Sequence, residues 1–384
     1  MFNNQRDPLH PYWVLHLLKS LYGLKQAPRI WYLLLCHTIC NIGFKPLETD
    51  PCLYINVKIQ AFIAVFVDDI LIVAPNVNVC NSIFNSLAVH FKIKNLGRPS
   101  TFLGNLNLTF HDNGSISIDQ IGYIDQILAG YHMENAKPSK LPINPFVQLQ
   151  KRKPDERKAD QDLYTGITGS LGDLAVISRP DISFTVSQLC QYNSDPSPTH
   201  LTASFDALRY LIPTRHYRIT YGSGNLDPVG YSDSDFANRL DDRKSVTGYV
   251  FMLNNGMVMW QSHTQDTVAL STKDAEYIAL SDASREAIAR TQFLTELLIE
   301  HDIPQLYCDN TSAITISQNP VHYHRTKHID IKYHHVRHLL SENRLAIDHI
   351  PSALQPADIL TKALKSEKYK QAIRNMGFDT GNME

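Results

Sequence analysis

The sequence predicts a mixed α/β protein, and three observations predict it. From Val229 onward, strand-like runs and helical patterns follow the order strand, strand, strand, helix, strand, helix, helix, strand, helix. Asn254-Asn255-Gly256 is a strong hairpin turn between two of those strands. Nearer the N-terminus, the apolar run Ala61 to Val73 reads as two strands folded back at Val67-Asp68-Asp69.

The totals suit a soluble globular chain. Its 384 residues leave room for two or three domains. Hydrophobic content is 43%, charged content 19% and formal net charge −2. That charge excludes a global basic field, so nucleic-acid contacts would have to come from local patches and metal ions. The six cysteines form no C-x-x-C pair, which argues against a zinc module or disulfide framework and fits a reducing compartment. Cys36 and Cys40 flank His37 in an apolar run, where core packing is expected over metal binding. The N-terminus is polar, unlike a signal peptide. The most apolar stretch, Ala61 to Ala74, carries Asp68 and Asp69 and is too short to span a bilayer, so no membrane association is expected.

In chain order, Gly23 and Pro28 punctuate the first segment, and a helix is expected from Arg29 to Ile42. A short strand at Leu53 to Ile55 precedes the Ala61–Val73 hairpin. Adjacent acids at an apolar hairpin tip have two readings. Aspartate is common in turns, and paired like charges favour a bound cation. A helix is expected from Asn78 to His90. A hairpin, Phe102–Phe110 with Ile116–Ile118, turns at Asp112-Asn113-Gly114, and a helix follows from Tyr123 to Tyr131. Lys137 to Asp160, rich in proline and charge, is expected as a linker or surface excursion, and its basic run as a solvated face. Helices are expected from Tyr164 to Ile212, broken at Arg179-Pro180-Asp181 and Asp195-Pro196-Ser197-Pro198.

Beyond Val229, strands are expected at Val229–Phe236, Val246–Leu253, Met257–Ser262, Leu306–Cys308 and Leu345–Ile350. Helices are expected at Lys273–Glu300, Ser312–Gln318, Ile329–Glu342 and Gln355–Leu364. Ser271 with Asp274 resembles a capping box at the start of the long helix.

The first of these strands carries acids where a core strand should be apolar. Tyr231, Asp233 and Asp235 share one face at the strand period. A carboxylate turned into a domain is costly unless paired or bound to metal. Three further acids offer that explanation: Glu276 in the first turn of the long helix, Asp309 at a strand end, and Asp358 near the start of the last helix. Four converging carboxylates would bind two magnesium ions roughly 4 Å apart, the arrangement for in-line phosphodiester hydrolysis. On position alone, Asp233 and Asp235 both qualify for the first place.

Ten segments carry a family resemblance. They are Lys19–Trp31 (KSLYGLKQAPRIW), Phe66–Val73 (FVDDILIV), Phe102-Leu103-Gly104, Arg179–Val186 (RPDISFTV), Tyr231–Ala237 (YSDSDFA), Asp242–Val250 (DRKSVTGYV), Val268–Leu280 (VALSTKDAEYIAL), Tyr307–Ala313 (YCDNTSA), Arg325–His334 (RTKHIDIKYH) and Ala357–Lys362 (ADILTK). In this order the chain resembles the C-terminal part of copia-type LTR retrotransposon Pol polyproteins, reverse transcriptase followed by ribonuclease H.

The resemblance implies a partial reverse-transcriptase palm and following segments at 1–135, a linker and helical thumb- or connection-like region at 136–225, and a ribonuclease H-like α/β domain at 226–384. It implies RNA-directed DNA polymerase chemistry at Asp68 and Asp69, with Gly23 and Gln26 near nucleotide and template and Phe102-Leu103-Gly104 near the primer. It implies hydrolysis of RNA in RNA–DNA hybrids by Asp233, Glu276, Asp309 and Asp358, and so selects Asp233 over Asp235. His324, Lys327, His328 and Asp330 would contact substrate or pack a helix. A zinc site in the His-rich stretch 322–338 is an alternative by spacing. The implied cofactor is Mg2+, two ions in the ribonuclease H site, with Mn2+ as an alternative. The implied partners are RNA–DNA hybrid and template-primer, together with an N-terminal Pol portion or second subunit. The implied setting is intracellular, in the cytoplasm (within a virus-like particle for an intact element) or the nucleus, on the route to DNA integration.

Some residues depart from the family pattern. No strand bearing a third palm aspartate precedes the Lys19–Trp31 segment, and Asp7 lies in a polar, proline-flanked stretch. The polymerase half is therefore expected to be inactive. Neither protease nor integrase segments are present in the sequence. Phe66 replaces a usual tyrosine, His16 and Leu18 stand in a usually lysine-richer stretch, His263-Thr264 replaces a usually basic pair, and Pro213 replaces a glycine. Fewer basic residues weaken phosphate contacts. Two expectations follow: a surviving ribonuclease H beside a broken polymerase, or a silent nucleic-acid-binding remnant of a decayed element.

Overall fold

A computed structural model describes residues 17–21, 23–222, 224–318 and 327–381; of residues 327–331 and 333 only the backbone is described. The chain divides into two units, residues 1–97 and 98–384. The mixed α/β class expected from the sequence is observed in both.

In the first unit, helix α1 (Ala27–Asn41) precedes strands β1 (Lys45–Pro46), β2 (Leu53–Asn56), β3 (Ala61–Phe66) and β4 (Asp69–Val73), and helix α2 (Val77–Ala88) follows. The strands form one sheet in sequence order, antiparallel throughout. Strand β3 buries Ala61, Ile63 and Val65 at the strand period, against Leu35 and Ile39 of α1 and Ile83 and Leu87 of α2. Each large side chain so buried contributes about 1.5–3 kcal/mol. Asn76 caps α2 by accepting a hydrogen bond from the Val79 amide.

The second unit opens with β5 (Thr101–Phe102), β6 (Leu106–Phe110) and β7 (Ile116–Asp119), then α3 (Ile121–Gly130), α4 (Gln161–Ile177), α5 (Ser183–Cys190), α6 (Pro198–Thr214) and β8 (Ile219–Tyr221). Phe102 to Phe110 is not one strand. Leu103 and Gly104 both have positive φ, and this turn splits it into β5 and β6. Pro213 lies inside α6, in its last turn.

The remaining elements are β9 (Val229–Asp235), β10 (Val246–Leu253), β11 (Gly256–Thr264), α7 (Thr272–Glu296), β12 (Gln305–Cys308), α8 (Thr311–Gln318), α9 (Lys327–Ser341), β13 (Ala346–His349) and α10 (Ser366–Asn375). Their sheet has the order β11-β10-β9-β12-β13. Strand β9 pairs antiparallel with β10 and parallel with β12. Helix α7 begins where its capping residue predicts, with Ser271 Oγ accepting from the Asp274 amide. The helix expected at 355–364 is instead a short 3-10 turn, Pro356–Leu360, followed by irregular chain. Pro356 fits its first turn, and Gln355 caps it by accepting from the Ala357 amide.

The two faces of this sheet have different covers. One packs Tyr249, Phe251 and Leu306 against Tyr277, Leu280 and Ala283 of α7 and against α8 and α9. Opposite it, Val250 and Met257 join Ile359, Tyr369, Ile373 and Met376, in one core with Tyr164, Leu171, Leu208 and Leu211 of α4 and α6. The helices preceding the sheet thus share its core. A wholly buried ion pair fastens them. Arg179 donates from Nε and Nη2 to the two carboxylate oxygens of Asp181, at 2.8 and 2.7 Å. Its guanidinium also donates to the Thr214 carbonyl and hydroxyl. Tyr210 of α6 donates to the Asp181 carboxylate, and Tyr369 of α10 to the Asp181 carbonyl, each at 2.8 Å.

Removing one member of such a pair leaves a buried charge unpaired, which costs about 3–5 kcal/mol. Arg179→Met is therefore expected to lower the urea midpoint of the second unit by that equivalent, read by circular dichroism. An unchanged midpoint would mean that the pair does not hold this core.

Candidate metal centre

Asp233 stands in the central strand of the five-stranded sheet, 1% exposed, opposite Gly248 of β10. A Cβ at Gly248 would meet Thr361 Cγ2 at 2.6 Å and Leu360 Cβ at 2.8 Å. Glycine there lets the 3-10 turn lie against β10, and the turn brings Asp358 to the sheet. Asp309 directly follows β12, the parallel neighbour of β9. Glu276 lies on α7 in its second turn, 4% exposed, where the sequence reading placed it in the first; the helix begins at Thr272.

These placements bring the four acids together. Asp233, Asp309 and Asp358 offer carboxylate oxygens within 4.8 Å of one another. A carboxylate oxygen each of Glu276 and Asp309 and the Cys308 Sγ lie equally close, so Asp309 links the two sets. Asp235, the other candidate on β9, accepts a hydrogen bond from Asn238 Nδ2 at 2.7 Å and is in neither set.

Neighbouring side chains orient the acids. Thr361 Oγ1 donates to Asp233 Oδ2. Lys362 Nζ lies 3.3 Å from the same oxygen and 2.8 Å from Asp358 Oδ1. Ser352 Oγ donates to Asp309 Oδ2 at 2.6 Å. Buried Gln355 donates from Nε2 to the Ser232 carbonyl at 3.0 Å, tying the turn to β9. Ser352, Gln355, Thr361 and Lys362 were missed as site residues from sequence, although three of them lie within or beside the motif around Asp358.

Crowded burial has an electrostatic result. Burial, opposed by Lys362 and reinforced by Asp358 and Asp309, pushes the Asp233 carboxyl up to about 7. Burial, with Asp233 and Asp309 beside it, pushes Glu276 up to about 10. For Lys362, burial works against the ammonium, but Asp233 and Asp358 outweigh it and raise its pKa. Glu276 Oε2 is buried with no hydrogen-bond partner among the described residues. Unpaired buried carboxylate oxygens of this kind fit a divalent cation. The donors are oxygens apart from the Cys308 thiol, which burial keeps protonated and so a poor ligand. Such a set suits magnesium, with manganese as an alternative.

Other expected site residues lie elsewhere. Asp68 and Asp69 are exposed at the tip of the β3–β4 hairpin, and among the described residues neither is in a metal-capable group. Val67 before them has φ 52°, the left-handed region, where a β-branched residue is strained. Trp31 Nε1 donates to its carbonyl at 2.9 Å. Gly23 has φ 93°, and Gln26 immediately precedes α1. His324 falls outside the described residues, as does His322; Lys327 and His328 lie in the first turn of α9 by backbone alone. Among the described residues, His334, His335 and His338 join no metal-capable group. No described helix is long and apolar enough to cross a membrane.

Comparison with known proteins gives three results. A family model described as reverse transcriptase (RNA-dependent DNA polymerase) matches residues 4–145. The chain is 34% identical to the retrovirus-related Pol polyprotein from transposon TNT 1-94 of Nicotiana tabacum, over 93% of this chain and 28% of that protein. It is 32% identical to a transposon Ty5-1 protein of Saccharomyces cerevisiae, over 74% of this chain and 92% of that protein. Among solved structures, ribonuclease H1 from Halobacterium salinarum aligns at 22% identity with 35% of this chain and 94% of its own, with a TM-score of 0.27. The chain thus spans little more than a quarter of the tobacco polyprotein, 28% of its length.

The raised carboxyls have a testable sign. A carboxyl whose folded pKa lies above its unfolded value binds protons more tightly when folded. The ion-free protein should then be most stable below about pH 4 with respect to these groups, and lose that contribution as pH rises towards 7 for Asp233 and towards 10 for Glu276. In EDTA, the urea midpoint of the wild type should fall more between pH 5 and pH 9 than that of Glu276→Gln. Parallel profiles would show that Glu276 is not protonated in the fold.

Proposed function

Since the chain belongs to the copia-type family of retrotransposon Pol polyproteins, we propose that its second unit is a metal-dependent nuclease cutting the RNA strand of RNA–DNA hybrids. One observation carries the proposal: Asp233, Asp309 and Asp358, from a strand, the residue after a strand and a turn, converge within 4.8 Å, with Glu276 joined to them through Asp309. Carboxylates are not gathered this closely for stability, because their repulsion and desolvation both oppose it.

The four acids would hold divalent cations, magnesium by donor type, which when bound supply activation of the attacking water and stabilisation of the leaving oxygen. Asp233 and Asp309 are fixed in orientation by the Thr361 and Ser352 hydroxyls, so the site is set before substrate arrives. Glu276 Oε2, with no donor of its own, is the acceptor available to orient a water or hold its proton. The protein would distinguish the hybrid by backbone shape and 2′-hydroxyls, with little base reading.

Asp68 and Asp69 are proposed as the polymerase carboxylates of the parent polyprotein. Two-metal nucleotidyl transfer needs more than this exposed pair, and the described residues gather no third acid around it. Nuclease chemistry is therefore assigned to this chain and primer extension is not. The proposed setting is intracellular, on the route from element RNA to integrated DNA.

With Mg2+ and a labelled RNA–DNA hybrid, the purified chain should cleave the RNA strand, and Asp309→Asn should lose at least about a hundredfold in rate, the scale of a lost catalytic electrostatic group. Primer-template with nucleotides should remain unextended. No cleavage by folded protein would identify a silent remnant, and primer extension would overturn the assignment of chemistry to the second unit.

A further inference from the structure

The same acids are already bridged by a cation of the chain's own. Lys362 Nζ sits 2.8 Å from Asp358 Oδ1 and 3.3 Å from Asp233 Oδ2. These two carboxylates belong to the set whose oxygens lie within 4.8 Å. Lysine and a divalent ion cannot share those oxygens without strong repulsion, since both are cations within a few ångströms in a poorly solvated site. One of the two must yield.

Three features make Lys362 the group that yields. Its side chain is about one-third exposed, at 32%, while that of Asp233 is 2% exposed. Lysine carries a point charge on a flexible four-carbon stem, so the ammonium can swing to water while the backbone stays in place. The other groups holding the acids, Ser352 and Thr361, are neutral hydroxyls and do not oppose an incoming cation.

We propose that Lys362 is a built-in countercation that holds Asp233 and Asp358 together when no ion is bound, and that a divalent ion enters by displacing it. This rests on the nuclease reading of the acidic cluster and adds a property to it: ion binding is an exchange of +1 for +2, not an addition to an open site. Lys362 trades ion affinity for a site that is assembled before the ion arrives. It is a positioning residue here, acting through the acids.

The test is Mn2+ titration calorimetry on the full chain, beside thermal unfolding in EDTA, for wild type, Lys362→Met, Lys362→Arg and Asp309→Asn. Methionine keeps the stem and removes the charge; arginine keeps the charge. Lys362→Met should bind Mn2+ roughly three- to tenfold more tightly, the range for removing a competing, partly exposed ion pair. It should also unfold at a lower temperature in EDTA, with the loss recovered on adding Mn2+. Lys362→Arg should stay near wild type in both. Equal or weaker Mn2+ binding by folded Lys362→Met, with wild-type binding lost in Asp309→Asn, would overturn the countercation while leaving the metal site standing. Absence of Mn2+ binding in every variant would overturn both. Should Lys362→Met fail to fold even with Mn2+, Lys362→Gln takes its place in both measurements, and equal or weaker Mn2+ binding by folded Lys362→Gln than by wild type would overturn the exchange.

Discussion

The second unit depends on one costly placement: a carboxylate in the middle of its central strand. Asp233 is 1% exposed and has sheet on both sides. Desolvation of such a group costs several kcal/mol unless charge or hydrogen bonds offset it. The surrounding features act on that cost. Gly248 opens room for the turn, Gln355 ties the turn to β9, and the turn delivers Thr361 and Lys362 to the Asp233 oxygens. Glu276 Oε2 stays buried without a hydrogen-bond partner among the described residues, beside Asp309 of the same cluster.

Much of this was legible in the residues. Strand-period acids at 231–235, the Asn254-Asn255-Gly256 turn and the Ser271 cap are local signals, and the structure places the corresponding elements where those signals put them. Asp309 was legible because parallel strands present their ends to a common edge. The choice of Asp233 over Asp235 was not available from periodicity, since both occupy the same face. It came from family resemblance, and in the structure Asp235 is turned to Asn238.

Other features were invisible for physical reasons. The stretch 355–364 looks helical by composition, and Pro356 at its first turn is compatible with an α-helix, but the chain forms only a 3-10 turn, with Thr361 and Lys362 beyond it on Asp233. Leu103 is an unremarkable residue for a strand, and nothing local signals its positive φ. Apolar periodicity in 164–212 shows that those helices bury a face and says nothing of what covers it. That the cover is the far side of the five-stranded sheet depends on long-range packing alone. Lys137–Asp160, expected as linker, has no regular secondary structure, yet Arg152 pairs with Asp195 at 3.0 Å.

The shared core also bears on what an intact acidic motif reports. Tyr369, only a few residues beyond the acidic turn, ends on Asp181, which belongs to the Arg179 pair in the preceding helices. The set of positions on which the proposed nuclease depends is therefore wider than its acids. A substitution at Arg179 or Asp181 would weaken the core behind the proposed site while every one of its carboxylates remained in the sequence. An intact acidic quartet reports that the motif is present, and the buried pair is the place to look for whether the fold behind it is.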